Sequence, residues 1–331
     1  MVDVLKQRKM IYRYFLLSCL FIVQYNGFAQ SKIHPYKNLT PLEEMRDLEY
    51  PFTVHYATID SVTEIAYVDE GTSDTIILFI HGLGSYLPAW QRNISELSKH
   101  FRCIAIDLPG YGKSSKHPHS GMMTYFAQVL TQFMDQLNIE AAILAGHSMG
   151  GQISIVTALY HPKRVKALIL AAPAGFEVFN EGQKEWFREV MTLQSVKSTP
   201  VEAIQNNIAY NFYNMPKDAD FMVRDRIAMR SAKDFEAYCY AIVRSVNGMV
   251  DEPVFDYLPD VKQKTLVLYG LRDNLIPNRY LNPGFTKDIA IQGTEQMPNA
   301  KLVLLEKTGH FLQFEQPEKF NEEVTEFVKG L

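Results

Sequence analysis

Six near-continuously apolar runs constrain this chain more than any other feature. They are "TIILFI" (75–80), "CIAIDL" (103–108), "AAILAG" (141–146), "ALILAAP" (167–173), "TLVLYG" (265–270) and "KLVLLE" (301–306). A strand with one wet face alternates apolar and polar residues, whereas a run without alternation reads as a strand covered on both faces of a parallel sheet. Between most of the runs lie stretches of helical periodicity, such as "MMTYFAQVLTQFMDQL" (122–137) and "GQISIVTALYHP" (151–162). Strands alternating with helices predict βαβ units wound on both sides of one sheet. Upstream, "FTVHYATID" and "TEIAYVDEG" predict an antiparallel pair at the sheet's edge. The expected fold class is α/β, a doubly wound, mostly parallel eight-stranded sheet.

The rhythm breaks once. Between "ALILAAP" and "TLVLYG", the sixth and seventh predicted strands, lie roughly 90 residues with no comparable run, too long for a structureless loop in a compact domain. The segment is rich in aromatic, Met and charged residues at helical spacing, as in "EWFREVMTL" and "FEAYCYAIVRSV". It predicts a helical cap over 175–260, inserted after the sixth strand. The core is then divided into 30–174 and 261–331.

In an open parallel sheet, ligands bind beyond the carboxyl ends of the strands. The residues that follow the runs are therefore the ones to inspect. His81-Gly82-Leu83-Gly84 follows the first run, and His147-Ser148-Met149 follows "AAILAG". Leu271-Arg272-Asp273 and Lys307-Thr308-Gly309-His310 follow the last two. One serine, one acid and one histidine thus fall on one edge of the sheet.

Gly146-His147-Ser148-Met149-Gly150 is a G-x-S-x-G sequence between a predicted strand and a predicted helix, the context in which that motif exposes a nucleophile. The sharp turn lifts the Ser148 hydroxyl clear of the backbone and leaves the first helical amides free for negative charge. A serine hydroxyl needs a base, and His310 in "TGHF" is the candidate. Of the other histidines, His100, His117, His119 and His161 read as solvated surface, and His147 as structural. Asp273 would accept from the His310 ring, with Glu177 as the alternative acid. Acyl transfer places charge on the former carbonyl oxygen, and two backbone N–H groups should meet it. The amide of Met149 supplies one; that of Leu83 supplies the other, with Gly84 as fallback. "PGYGKSS" is not a phosphate-binding loop, because Asp107 stands where the first glycine of that motif belongs.

The balance of the composition excludes other classes. Net charge is −4 and basic runs are absent, so no nucleic-acid partner is expected. Three cysteines, Cys19, Cys103 and Cys239, make neither a disulfide framework nor a metal-binding pattern, and no metal site is expected. At the N-terminus, Lys6, Arg8, Lys9 and Arg13 precede an apolar stretch (14–23) and the small-x-small pair Gly27 and Ala29. That pattern predicts a secretory signal peptide, 1–29, hence a secreted or periplasmic protein. The alternatives are an uncleaved membrane anchor through 14–23 and a lipoprotein cut before Cys19. Membrane contact is expected only if the segment stays.

These motifs together resemble the α/β-hydrolase superfamily. "FIHGLGSYLPAWQRNI", "AIDLPGYGKSS", "LAGHSMGG", "LVLYGLRDNLIP" and "KTGHFLQFEQPEKFNEEVTEFV" match its pattern in order from about Thr53 to Leu331. The resemblance implies Ser148, Asp273 and His310 as catalytic residues and Leu83 and Met149 as oxyanion donors, with a cap and no cofactor. Members with an aspartate nucleophile, the epoxide hydrolases and haloalkane dehalogenases, are disfavoured by Ser148. "AAPAGFE" and the aromatic cap resemble esterase and monoacylglycerol-lipase-like members. The expected activity is a serine hydrolase of carboxylic esters, acting on a small-molecule ester with an apolar acyl or alkyl group. An aminopeptidase or C–C bond hydrolase on the same scaffold is the alternative, and a ligand-binding receptor is the alternative from another class.

Overall fold

The computed structural model describes residues 36–331. The signal-peptide reading of 1–29 and the alternative anchor at 14–23 lie outside the described residues. Each apolar run forms a strand, preceded by the expected edge pair. The strands are β1 (His55–Thr58), β2 (Glu64–Glu70), β3 (Ile76–Ile80), β4 (Arg102–Ile106), β5 (Ala142–His147), β6 (Val165–Ala171), β7 (Lys264–Gly270) and β8 (Ala300–Leu305). They make one eight-stranded sheet in the order β1-β2-β4-β3-β5-β6-β7-β8. β2 runs antiparallel to both β1 and β4, and every other pairing is parallel.

Burial follows position in that order. β5 is buried along its whole length, and β3, β4, β6 and β7 over all but their first residues or a single outward lysine. β8 departs from the expectation of two covered faces. It is the edge strand, and Leu302, Val303 and Leu304 stay half-buried because, among the described residues, no further strand closes that side.

Helices flank the sheet: α1 (Gln91–Leu97), α2 (Met123–Gln136) and α3 (Met149–Tyr160). α3 is buried from Met149 to Ala158, which places it across the middle of one face. Between β6 and β7 run α4 (Glu181–Val190), α5 (Leu193–Lys197), α6 (Val201–Tyr210), α7 (Asp220–Ala228) and α8 (Phe235–Asp251). α4 and α5 each start on a reciprocal capping box, Asn180 with Gln183 and Thr192 with Ser195. α8 buries Tyr238, Cys239, Ala241 and Ile242 against the core. The chain closes with α9 (Thr286–Gln296), α10 (Leu312–Glu315) and α11 (Pro317–Lys329). Among the described residues no helix is long and apolar enough to cross a membrane.

Cys103 and Cys239 are free and buried. One histidine expected at the surface is not there. His119 is buried, stacked on Tyr125 with ring centroids 5.0 Å apart. Its Nε2 donates to Pro109 O and its Nδ1 accepts from Gly121 N, each at 3.1 Å. Burial lowers its pKa to about 4. A polar loop sequence hid it because both partners are backbone groups, which leave no pattern in side chains.

Candidate active site

Ser148 links β5 to α3 and adopts φ 52°, ψ −117°, a left-handed region that non-glycine residues rarely occupy. The strain is held by the backbone around it. Ser148 N donates to Ala171 O at 2.9 Å, and Ser148 O accepts from Gly151 N (2.9 Å), Ala174 N (3.0 Å) and Gln152 N (3.2 Å). Gly150 is required by close approach: a Cβ there would stand 2.3 Å from Ile80 O. The glycines of the motif therefore let α3 start against the end of β3.

Asp273 and His310 meet because β7 and β8 are neighbours, paired as far as Gly270 and Leu305. His310 Nδ1 donates to Asp273 Oδ2 at 2.7 Å, with both side chains buried. The other carboxylate oxygen accepts from Leu275 N (2.7 Å) and Ile276 N (3.1 Å), so three donors orient it. With its proton on Nδ1, the neutral His310 ring presents Nε2 as an acceptor. His147, the chain neighbour of Ser148, donates through Nε2 to His310 O at 3.0 Å, and the two rings lie 4.8 Å apart. Burial, with His310 beside it, holds the His147 pKa well below the usual imidazole range, so that ring is a neutral structural link.

Glu177, the other acid considered, sits elsewhere. Its carboxylate accepts from Asn278 N (2.9 Å) and Asn282 Nδ2 (2.8 Å), and burial pushes it up to about 7. It clamps the 278–282 loop to the end of β6 and leaves His310 to Asp273.

The loop after β3 passes over Ser148: a Cβ on Gly82 would lie 3.1 Å from Ser148 Cβ. It is a tight turn closed by Ser85 N donating to Gly82 O at 3.1 Å, with Gly84 at φ +63°. His81 shapes it from within. His81 Nε2 accepts from Leu108 N at 3.1 Å, so Nδ1 carries the proton and donates to Gly82 O at 2.8 Å. Among the described residues, neither Leu83 N nor Met149 N donates to a backbone acceptor. Met149 opens α3, where helical geometry leaves its N–H without an intrahelical partner.

Several groups around the site had no signal in the sequence. Asn211 O, at the end of α6, accepts from both His310 N (2.7 Å) and Phe311 N (3.1 Å). The Glu315 carboxylate accepts from Gly309 N (2.7 Å), Tyr213 N (3.1 Å) and Asn214 N (2.6 Å), joining the His310 loop to the chain after α6. Arg226 and Tyr238 reach the Gly84 carbonyl from α7 and α8. All of these contacts except Gly309 to Glu315 join residues about 100 or more positions apart, and single-residue periodicity carries no trace of them.

The site thus brings together a strained serine at a strand-to-helix turn and a buried Asp–His pair, joined through His147, which bonds His310 O. Residues 75–317 match the family model described as the alpha/beta hydrolase fold, and the chain belongs to that family. Among curated relatives it is 26% identical over 285 residues to the dihydrolipoyllysine-residue acetyltransferase component of the acetoin cleaving system of Cupriavidus necator, covering 85% of this chain and 71% of that one. It is 28% identical over 280 residues to the 2-hydroxy-6-oxononadienedioate/2-hydroxy-6-oxononatrienedioate hydrolase of Burkholderia vietnamiensis, covering 80% and 91%. Among solved structures, the "probable hydrolytic enzyme" of Pseudomonas aeruginosa superposes with a TM-score of 0.77 at 26% identity, over 87% of this chain and 98% of that one.

Proposed function

We propose that this protein is a serine hydrolase that cleaves carboxylic esters through an acyl-enzyme on Ser148. The observation that carries the reading is the 2.7 Å bond from His310 Nδ1 to the buried Asp273 carboxylate, which leaves Nε2 as the base. Ser148 Oγ attacks the carbonyl carbon while His310 Nε2 takes its proton. The oxyanion that forms accepts from the Leu83 and Met149 amides. His310 then returns the proton to the departing alcohol oxygen. A water molecule, deprotonated by the same nitrogen, releases the acid.

The helical segment between β6 and β7 fits a cap over 175–260 that shapes an apolar acyl or alkyl site, set between core segments 30–174 and 261–331. With 1–29 read as a signal peptide, the protein acts outside the cytoplasm, and N-terminal sequencing of the mature protein tests that part.

A fluorophosphonate probe tests the chemistry. The wild-type protein should be labelled and the Ser148→Ala variant should not. An unlabelled wild type, or equal labelling of both, refutes the nucleophile and favours a ligand-binding role. The relative named as a 2-hydroxy-6-oxononadienedioate hydrolase supports a second reading, C–C bond cleavage on the same triad. A panel of p-nitrophenyl esters, amides and a 2-hydroxy-6-oxo dienoate separates the two. Turnover of the dienoate exceeding that of every ester would replace the ester reading.

A further inference from the structure

Two side chains of the helical segment converge on one atom of the oxyanion loop. Arg226 Nη2 on α7 and Tyr238 Oη on α8 both donate to the carbonyl oxygen of Gly84, the tyrosine at 3.0 Å. The guanidinium lies over the Tyr238 ring, 5.2 Å from its centroid, so the two donors brace each other. Two residues along the loop, Tyr86 Oη donates to Asp225 Oδ2 on α7 at 2.6 Å. These hydrogen bonds tie the loop to α7 and α8.

The Gly84 carbonyl stands at the head of a hydrogen-bond chain. It belongs to the same peptide unit as Ser85 N–H, which donates to Gly82 O at 3.1 Å. The Gly82 carbonyl in turn belongs to the same unit as Leu83 N–H. A donor to a peptide carbonyl polarises that unit and makes its own N–H a stronger donor. The His81 Nδ1 proton adds a second donor at Gly82 O, 2.8 Å away. The chain ends on Leu83, since Gly84 N–H belongs to the 83–84 unit outside it.

We infer that Arg226 and Tyr238 are positioning residues for the oxyanion hole: through Gly84 O and Ser85 N–H they fix the turn and strengthen the Leu83 N–H donor. The inference rests on the reading of Leu83 as an oxyanion donor given above. A stronger donor favours the charged tetrahedral oxygen over the neutral carbonyl of bound substrate, so the effect belongs to the transition state.

The test uses full-length Tyr238→Phe and Arg226→Met, with p-nitrophenyl butyrate as substrate. Two inhibitors report on the hole: a butyl trifluoromethyl ketone, which adds to Ser148 and forms an oxyanion, and the matching methyl ketone, which stays trigonal. Removing one direct oxyanion donor costs about 100-fold or more, so an indirect one should lower kcat about 3–10-fold in Tyr238→Phe and somewhat more in Arg226→Met. Affinity for the trifluoromethyl ketone should fall by the same factor, with KM and methyl ketone affinity within about twofold of wild type. The rate constant for fluorophosphonate labelling, which passes through the same hole, should fall in parallel. If both ketones lose affinity equally, the residues shape the pocket or bind substrate and the inference is wrong. Unchanged kcat and ketone affinity also overturn it. Should Arg226→Met fail to fold, Tyr238→Phe, which removes one hydroxyl, decides alone. A wild type that resists fluorophosphonate refutes the functional reading itself; a labelled wild type with flat variants refutes only this inference.

Discussion

Asp273→Asn tests the Asp–His pair with a change of one atom. The carboxylate accepts three hydrogen bonds: the His310 ring on one oxygen, and Leu275 N and Ile276 N on the other. An asparagine has one oxygen and one NH2 to offer. Turning the NH2 toward Leu275 and Ile276 would set donor against donor and leave two amides unpaired, at about 1–3 kcal/mol each. Turning it toward His310 keeps both amides satisfied, so this orientation wins by about 2 kcal/mol or more. His310 must then accept at Nδ1 and carry its proton on Nε2, the wrong tautomer for a base. The negative charge that stabilises the imidazolium is lost as well. The expected fall in the chemical step is about 10³–10⁴-fold, or about 4–5 kcal/mol of barrier. The assay is the second-order rate of fluorophosphonate labelling at neutral pH, which needs no knowledge of the substrate, followed by kcat and KM on the best ester. KM should hold, because Asp273 is buried behind His310. A folded Asp273→Asn protein that keeps more than about a tenth of the wild-type labelling rate would refute the assignment. So would a larger loss in Glu177→Gln than in Asp273→Asn.

Glu177 should instead show itself in stability. Burial raises its folded pKa from 4.5 to about 7, so the unfolded chain ionises it first and stability falls as pH rises from about 4.5 to about 7. Glu177→Gln removes that penalty, and thermal melts should show a gain of about 1–3 kcal/mol at pH 8 that vanishes below pH 4.5; a pH-independent difference would contradict the cause given. Glu315→Ala strips the carboxylate from Gly309 N, Tyr213 N and Asn214 N, and should cost about 2 kcal/mol in urea unfolding while lowering kcat through a looser His310 loop. A variant with wild-type stability and kcat would show that Asn211 O alone holds that loop.

The elements that could be read directly are those whose signal is local. β3 to β7 appear within one or two residues of their apolar runs, because a strand buried on both faces must be apolar at every position. The turn at Ser148 was legible for a similar reason: a helix starting that close to β3 tolerates only glycine at 150, and a glycine is visible in a string of letters. β8 was over-read, since its run is as apolar as the others but its place at the sheet edge leaves it half covered. His119 was misread, since its partners are two backbone groups.

By itself, then, the sequence determined the strands, the helices between them and the edge on which Ser148, Asp273 and His310 emerge, because periodicity and turn sterics act over a few residues. It left two acids open for His310. The tertiary structure decided between them, because β7 lies beside β8 and carries Asp273 to the ring, while Glu177 leaves β6 and is taken up by the loop at Asn278 and Asn282. It alone also decided what surrounds the site. Asn211 O at His310 N, and Arg226 and Tyr238 at Gly84 O, join residues about 100 or more positions apart. Such contacts are set by how finished helices pack against finished loops, and no spacing rule in the chain encodes them.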